Sequence, residues 1–165
     1  MTINKAIVFD TTYILPIFGI KVELSPDFKN ELVKVLANTF QNYDLYLPSI
    51  CLIEVSYKLN REYRQRVDVE ILNRYPILLP TILNSSLKIF NPQLDVNASL
   101  VAMKIRHKGH TDLMDCWIAA AAVALNGILV TEDKPLKEML QTIPETKDVD
   151  IYSWNDFIER IFKKI

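Results

Sequence analysis

This chain has little glycine, few cysteines and few histidines, and each shortage argues against a class of protein. Only three of its 165 residues are glycine and half are hydrophobic, so no long stretch is expected to be disordered. Cys51 and Cys116 lie far apart and form no C-x-x-C pair, which argues against a zinc site and a disulfide framework. We expect both to be buried, reduced thiols in a cytoplasmic protein.

The chain also lacks a charge excess and a long hydrophobic run. Its formal net charge is −1, so any nucleic-acid binding must rely on local basic patches. The apolar run Ala6–Ile20 is interrupted by Asp10 and Pro16, and the run Ala119–Val130 is too short to span a bilayer. The first predicted strand begins near residue 6, which leaves no room for a signal peptide. We expect a soluble, cytoplasmic protein with no membrane partner.

Short segments rich in β-branched and aromatic residues alternate with helical patterns. This alternation is typical of βαβ units and predicts one α/β domain over residues 1–165, with a central, mainly parallel sheet of about five strands flanked by helices. Strands are predicted near residues 6–10, 44–48, 87–91, 127–131 and 149–153. Helices are predicted over Asp27–Tyr43, from about Ile50 into the Arg61–Arg66 region, and over Asp95–His107, Asp112–Asn126 and Trp154–Lys164.

Residues 67–86 have the least clear pattern, because the apolar run Tyr75–Leu83 is broken by two prolines. This segment can either cover the core or join a partner surface. Since the run has few places to be buried in one small domain, we expect the chain to form a homodimer.

Two of the predicted strands lead into an aspartate. They are the segments Ala6–Asp10 and Gly127–Asp133. The carboxyl ends of parallel strands meet along one edge of a sheet, so Asp10 and Asp133 are expected side by side, as in a site for a hard metal ion. Each also has a structural interpretation: Asp10 can form a turn, and Asp133 can cap a helix that has Pro135 in its first turn.

Two further acids lie on predicted helices. Glu54 sits in the otherwise apolar stretch Ile50–Val55, and Asp115 begins the alanine-rich helix. Taken alone, Glu54 is equally explained as a residue on a solvated helical stripe. Asp115, taken alone, is better explained as a first-turn acid that the helix dipole favours than as a catalytic residue. The conjunction of four such acids weakens these structural interpretations.

In this order, the motifs resemble those of PIN-domain proteins. Phe9–Leu15 resembles the opening motif of the family, and Ser49–Val55 resembles the second motif, with its acid on a helix. Asp115–Asp133 resembles the third and fourth motifs joined, and it is the most specific block because helix, glycine stop, strand and Thr-x-Asp keep the order of the family. The resemblance covers nearly the whole chain but is weak over residues 60–95.

The resemblance implies a three-layer PIN-like fold and a nuclease that uses Mg²⁺ or Mn²⁺. Carried over residue by residue, the catalytic and metal-binding acids are Asp10, Glu54, Asp115 and Asp133. The residues expected to support them are Thr12, Asp112 and Thr131. Asp112 is an extra acid that either assists the site or caps the helix. Glu132 departs from the Arg or Asn that is common there, and is expected to add negative charge near the site.

An acidic site that holds a cation suits a polyanionic substrate, which we expect to be RNA. Two basic clusters flank the predicted acids and can either grip phosphates or form solvated faces. The RNA-binding candidates are Lys58, Arg61, Arg64, Lys104 and Arg106. Because metal-assisted hydrolysis needs no histidine, His107 and His110 are expected to be surface loop residues.

The leading interpretation is an endoribonuclease that hydrolyses RNA phosphodiester bonds with a metal-activated water. Many small PIN proteins are toxins, so an antitoxin protein is a further expected partner, although an RNA-processing role stays open. One alternative is a catalytically idle PIN-fold module that binds RNA or protein. Another is a doubly wound phosphatase, which needs a second aspartate two residues after the first, where this chain has Thr12.

Overall fold

The computed structural model describes residues 4–164, which form five strands and seven α-helices. No helix within these residues is long and apolar enough to cross a membrane. The strands are β1 (Lys5–Phe9), β2 (Tyr43–Pro48), β3 (Leu87–Phe90), β4 (Ile128–Val130) and β5 (Ile151–Tyr152). The helices are α1 (Phe28–Ala37), α2 (Ser49–Arg66), α3 (Val69–Leu83), α4 (Val96–His107), α5 (Leu113–Ala124), α6 (Lys134–Leu140) and α7 (Trp154–Arg160).

The five strands form one sheet in the order β3-β2-β1-β4-β5, and every neighbouring pair is parallel. This confirms the predicted three-layer α/β fold. β1 lies at the centre, where Ile7 pairs with Leu45 of β2 and with Ile128 of β4. The backbone N–H of Asp10 donates to the carbonyl of Val130 at 3.1 Å, so the carboxyl ends of β1 and β4 are adjacent.

Helix α5 packs closely on the sheet because its buried side chains are small. Ala119–Ala122 are all buried, and α5 contacts β1, β2 and β4. After the helix, Asn126 adopts a left-handed conformation with φ of 47°. A Cβ atom at Gly127 would lie 2.8 Å from the carbonyl oxygen of Ala6, so only glycine fits where β4 begins beside β1. The predicted helix stop is thus confirmed, and it places β4 in register with β1.

Residues 67–86, whose sequence pattern was the least clear, contain helix α3, and this helix continues through Pro76 and Pro80. Asp68 caps it by accepting a hydrogen bond from the backbone N–H of Glu70 at 3.0 Å. Pro76 and Pro80 lack the N–H groups of a regular helix, but buried Ile71 and Ile82 anchor α3 to the core. Within Tyr75–Leu83, Ile82 is buried in the core and Tyr75 and Leu78 pack against it, whereas Ile77 and Leu83 stay exposed.

An aromatic cluster holds the segment after β1 against the last helix. Phe9 meets Phe157 edge to face at 5.2 Å, and Tyr13 packs on Trp154 at the same ring separation. Trp154 also contacts Phe28 of α1 at 4.7 Å between ring centroids. All five rings are buried. The loop that begins at Asp10 is consequently fixed on a rigid base.

Candidate active site

Asp10 follows β1 directly and lies almost entirely buried at the carboxyl edge of the sheet, with 7% of its surface exposed. Its Oδ2 accepts a hydrogen bond from the Thr131 hydroxyl at 2.7 Å, and its Oδ1 accepts one from the backbone N–H of Thr12 at 3.3 Å. Burial raises the pKa of Asp10 to about 6, against the lowering effect of these two hydrogen bonds. The neighbouring carboxylates of Glu54 and Asp133 raise this pKa further.

Thr131 joins the acid after β1 to the acid after β4. Its Oγ1 donates to Asp10 and accepts from the backbone N–H of Asp133 at 3.1 Å. Asp133 in turn caps α6, since its Oδ1 accepts from the backbone N–H of Leu136 at 2.6 Å. The capping interpretation of Asp133 is therefore confirmed, and it coexists with a position beside Asp10.

Asp115 brings a third carboxylate to this edge from the first turn of α5. Burial raises its pKa to about 7, and a hydrogen bond with His110 opposes that rise. The charges of Asp10, Asp112 and Asp133 raise this pKa as well. Ligand atoms of Asp115 and Asp133 lie within 4.8 Å of each other, and Thr131 links Asp133 to Asp10, so the three aspartates share one crowded site.

His110 belongs to the same site, and the expectation that it is a surface residue is wrong. It is 7% exposed, and its Nε2 lies 3.1 Å from Oδ2 of Asp115. Arg106 holds the backbone of this loop by donating to the carbonyl oxygens of His110 and Thr111 at 2.7 and 2.8 Å. His107, at the end of α4, is exposed as expected. A sequence clue was the short connection from α4 to α5, which must place His110 near the turn that carries Asp115.

Glu54 approaches the aspartates from α2. It raises the pKa of Asp10, so its charge lies within range of the buried acid. Its Oε1 also forms an ion pair with Lys58 at 3.1 Å, one helical turn further along. Glu54 therefore lies at the border between the acidic site and the basic face of α2.

The residues expected to assist the acids contribute in different ways. Thr131 binds Asp10 with its hydroxyl, whereas Thr12 does so with its backbone N–H. Asp112 caps α5 by accepting from the backbone N–H of Met114 at 2.8 Å, so the capping alternative holds for it. The carboxylate of Glu132 accepts hydrogen bonds from the Tyr13 hydroxyl at 3.1 Å and from the Trp154 backbone at 2.8 Å. Glu132 thus fastens the loop to the aromatic cluster, a role that its sequence position did not indicate.

The basic candidates fall into two groups. Lys58, Arg61 and Arg64 line a shallow depression of about 640 Å³ on the exposed face of α2, together with Glu54 and Tyr57. The other two are engaged elsewhere: Lys104 forms an ion pair with Glu145, and Arg106 binds the loop carbonyls. Lys58 is itself paired with Glu54, so Arg61 and Arg64 are the candidates for which no ion pair is found within residues 4–164.

The donor atoms at this edge fit a divalent cation. One ligand atom each from His110, Asp115 and Asp133 lie within 4.8 Å of one another. Asp10 is joined to Asp133 through Thr131, and the charge of Glu54 raises the pKa of Asp10, so these two carboxylates adjoin the cluster. Carboxylates that burial and mutual repulsion push toward the neutral form are those that a cation would stabilise as anions. Carboxylate oxygens are also the ligands that Mg²⁺ and Mn²⁺ accept.

Comparisons with known proteins agree with this architecture. The PIN domain family model matches residues 7–139. The fold resembles VapBC2 from Rickettsia felis, solved bound to a DNA fragment from its promoter, with a TM-score of 0.60, 18% identity and coverage of 90% of this chain and 98% of that one. It also resembles DNA-bound VapBC from Salmonella typhimurium, with a TM-score of 0.59, 17% identity and coverage of 92% and 99%. No curated protein matches the chain.

Proposed function

The chain belongs to the PIN domain family, and from this premise we propose that it is a metal-dependent endoribonuclease. PIN domains are generally nucleases. The observation that carries the proposal is the convergence of Asp10, Asp115 and Asp133 at the carboxyl edge of β1 and β4, with Glu54 beside them. A turn or a helix cap can explain each of these acids singly. A cluster of partly buried carboxylates, however, lowers the stability of the fold unless a cation neutralises their charge. The proposed unit is a single nuclease domain over residues 1–165.

Asp10, Glu54, Asp115 and Asp133 are the residues that would hold Mg²⁺ or Mn²⁺. When bound, such an ion acidifies a water molecule into a nucleophile and offsets negative charge on the phosphate. Thr131 keeps Asp10 oriented by its 2.7 Å hydrogen bond. Asp133 is oriented in the same way because one of its oxygens is engaged with the backbone of Leu136. These fixed carboxylates provide the preorganised geometry that hydrolysis requires.

The basic face of α2 is proposed to bind the RNA backbone. Lys58, Arg61 and Arg64 follow Glu54 along one side of the helix and line the same depression. Tyr57, with 67% of its surface exposed, lines the same depression and can stack on an unpaired base. This face leads directly from the acidic edge, so a strand bound there would pass the site of hydrolysis.

We also propose that the chain works in the cytoplasm as the toxin of a toxin–antitoxin pair, with an antitoxin protein as its partner. Support comes from the fold, which it shares with VapBC2 over nearly the full length of both chains. Expression of the chain alone is expected to stop growth, and expression together with the antitoxin is expected to restore it. If the chain cleaves RNA but its expression does not slow growth, an RNA-processing role would be favoured.

A homodimer is part of the proposal as well. Ile82 is buried against the core, but Ile77 and Leu83 of α3 remain 70% and 55% exposed. Light scattering at high micromolar concentration tests this directly. A monomer at that concentration would overturn it.

The experiment that tests the nuclease proposal compares two aspartate variants on single-stranded RNA. Asp115→Asn is expected to reduce the cleavage rate by about 10²-fold or more, as expected for the loss of an electrostatic contact in the transition state. Asp148→Asn is the matched control, because Asp148 is exposed near the opposite edge of the sheet. Wild-type cleavage should stop in EDTA and return with Mg²⁺ or Mn²⁺.

The same pair of variants separates the enzyme from the idle module. An idle module would bind RNA without cutting it in either ion, and Asp115→Asn would then have no rate to reduce. Cleavage that survives both EDTA and Asp115→Asn would overturn the proposed mechanism.

A further inference from the structure

We propose that His110 is a direct ligand of the divalent ion, which makes this a mixed nitrogen–oxygen site that prefers Mn²⁺ to Mg²⁺. The inference rests on the proposed function and adds to it a ligand that no motif in the sequence indicates. The imidazole of His110 lies among the acids of the site, with its Nε2 3.1 Å from Oδ2 of Asp115.

The spacing of the donor atoms suits a single six-coordinate ion. Ligands about 2.1 Å from such an ion are about 3 Å apart when adjacent and about 4.2 Å apart when opposite. The His110–Asp115 separation of 3.1 Å matches an adjacent pair. Ligand atoms of His110, Asp115 and Asp133 all lie within 4.8 Å of one another, a bound only slightly above the separation of opposite ligands, so small side-chain rotations suffice for the three to share one ion.

The fold holds His110 in this place rather than leaving it on a mobile loop. The backbone N–H of His110 donates to the carbonyl of Ile105 at 3.4 Å, and the side chain of Arg106 donates to the carbonyl oxygen of His110. Gly109 supplies the turn before it with φ of 109°, a conformation that residues with a Cβ rarely adopt. A buried side chain on a braced loop is a preorganised ligand, and preorganisation lowers the cost of binding the ion.

Two roles fit a histidine beside Asp115. It can position the carboxylate through a hydrogen bond, or it can bind the ion together with that carboxylate. Within residues 4–164, the one hydrogen bond found for the His110 ring is the contact with Asp115. A ligand atom of Asp133, which lies on another element, is within 4.8 Å of a ring nitrogen of His110, so the imidazole adjoins two carboxylates and not Asp115 alone. The geometry therefore favours the ligand role.

Ligand chemistry then decides the choice of ion. Mg²⁺ prefers oxygen ligands, whereas imidazole nitrogen suits transition-metal ions better. A site with one imidazole among carboxylates should thus bind Mn²⁺ more tightly than Mg²⁺. Loss of the imidazole should weaken Mn²⁺ binding by about tenfold or more and change Mg²⁺ binding much less.

The decisive measurement is the electron spin echo spectrum of Mn²⁺ bound to the full chain without an affinity tag. The chain has only two histidines, so labelling them with ¹⁵N tests direct coordination without any substitution. We expect a ¹⁴N coupling to Mn²⁺ that changes to a ¹⁵N coupling on labelling. Bound Mn²⁺ without nitrogen coupling would overturn the proposal.

Two histidine variants complete the test. His110→Gln should abolish the coupling and weaken Mn²⁺ binding in calorimetry, while His107→Gln, at the exposed neighbour, should leave both unchanged. Circular dichroism checks that the variants are folded, and the labelling result stands even if one is not. Equal weakening of Mn²⁺ and Mg²⁺ binding in His110→Gln would point instead to a positioning role through Asp115 and would overturn the preference.

RNA cleavage by the same preparations separates the two proposals. Cleavage with Mn²⁺ but without nitrogen coupling would overturn the His110 ligand and leave the nuclease standing. Nitrogen coupling without cleavage in either ion would confirm the ligand and overturn the nuclease.

Discussion

The hydroxyl of Thr131 donates a 2.7 Å hydrogen bond to Oδ2 of Asp10, and this bond joins two residues that are 121 positions apart. Both residues lie just beyond the ends of adjacent strands, Asp10 after β1 and Thr131 after β4. The bond supplies a donor to a carboxylate that is almost fully buried. It also leaves Thr131 able to accept from the backbone of Asp133, so one hydroxyl orients two acids.

Replacement of Thr131 by valine should therefore destabilise the protein where Asp10 is ionised. Valine keeps the shape but removes the donor, and hydrogen bonds to charged groups contribute about 1.5–3 kcal/mol. We expect the free energy of unfolding in urea at pH 8 to fall by about that amount. Thr131→Ser keeps the hydroxyl and is the control. A loss in Thr131→Val no larger than the loss in Thr131→Ser would show that the hydrogen bond contributes no more than the packing of one methyl group.

The strand positions and most helix positions could be predicted because they depend on local pattern. Each predicted strand lies within about two residues of an observed one, because short segments rich in β-branched residues mark the strands in the sequence. Helix ends were less predictable: α1 ends at Ala37, well before the expected Tyr43, which instead begins β2. Parallel topology then explains why acids after β1 and β4 meet at one edge. Their catalytic roles stay predictions.

Three features were not predicted because they depend on tertiary packing and loop geometry. Proline lowers the local helix propensity of α3, but packing of Ile71 and Ile82 on the core outweighs that penalty. Arg106 binds the carbonyl oxygens of His110 and Thr111, and in the loop so formed His110 is buried beside Asp115. Glu132 binds Trp154, which lies 22 residues later in the chain. None of these contacts leaves a periodic signal in the sequence.

The metal-free protein should lose stability as the pH rises from about 4 to about 7. Burial raises the pKa of Asp10 to about 6 and that of Asp115 to about 7, above the ordinary value near 4 of the unfolded chain. The folded state therefore binds more protons than the unfolded state in this window, and deprotonation works against folding. We expect a loss of a few kcal/mol, measured by denaturation in EDTA.

Two changes should remove this pH dependence in part. Asp115→Asn cannot ionise, so it should flatten the profile and equal or exceed the wild type in stability at pH 8. Addition of Mn²⁺ at pH 8 should restore the stability of the wild type, since a ligand that binds only the folded state stabilises it. A wild-type profile that rises between pH 4.5 and 7 would contradict the raised pKa values.

Neutralisation of two arginines on α2 should weaken RNA binding without altering the fold. Arg61 and Arg64 line the depression beside Glu54, and each is expected to contact a phosphate. For single strands, each lost contact lowers the slope of log affinity against log salt by about 0.7, so the double change to glutamine should lower it by about 1.4. Fluorescence anisotropy with labelled single-stranded RNA in EDTA measures this.

Arg66 provides the control for that experiment. It lies on the same helix but forms an ion pair with Glu62 at 3.2 Å, away from the depression. Arg66→Gln should leave both the affinity and the salt slope nearly unchanged. An equal effect at Arg66 would mean that α2 attracts RNA by its overall charge and not through the face beside Glu54.

The products of cleavage should carry a 5′-phosphate and a 3′-hydroxyl, because water is the nucleophile in the proposed mechanism. Acid–base ribonucleases instead use the 2′-hydroxyl of the RNA and leave a 2′,3′-cyclic phosphate, with two histidines as a usual pair. In this structure the two histidines do not form such a pair: His107 is exposed on α4, whereas His110 is buried against Asp115.

A substrate with a single 2′-deoxy nucleotide at the cleaved position distinguishes the two mechanisms. Attack by water does not involve the missing hydroxyl, so cleavage at that position should persist, and the 5′ end should accept ligation without prior phosphorylation. His107→Ala should leave the rate unchanged on both substrates. Loss of cleavage at the deoxy position, together with a cyclic phosphate on the unmodified RNA, would overturn water attack. It would require a general base near the 2′-hydroxyl, a role for which His110, buried beside Asp115, would be the first residue to test.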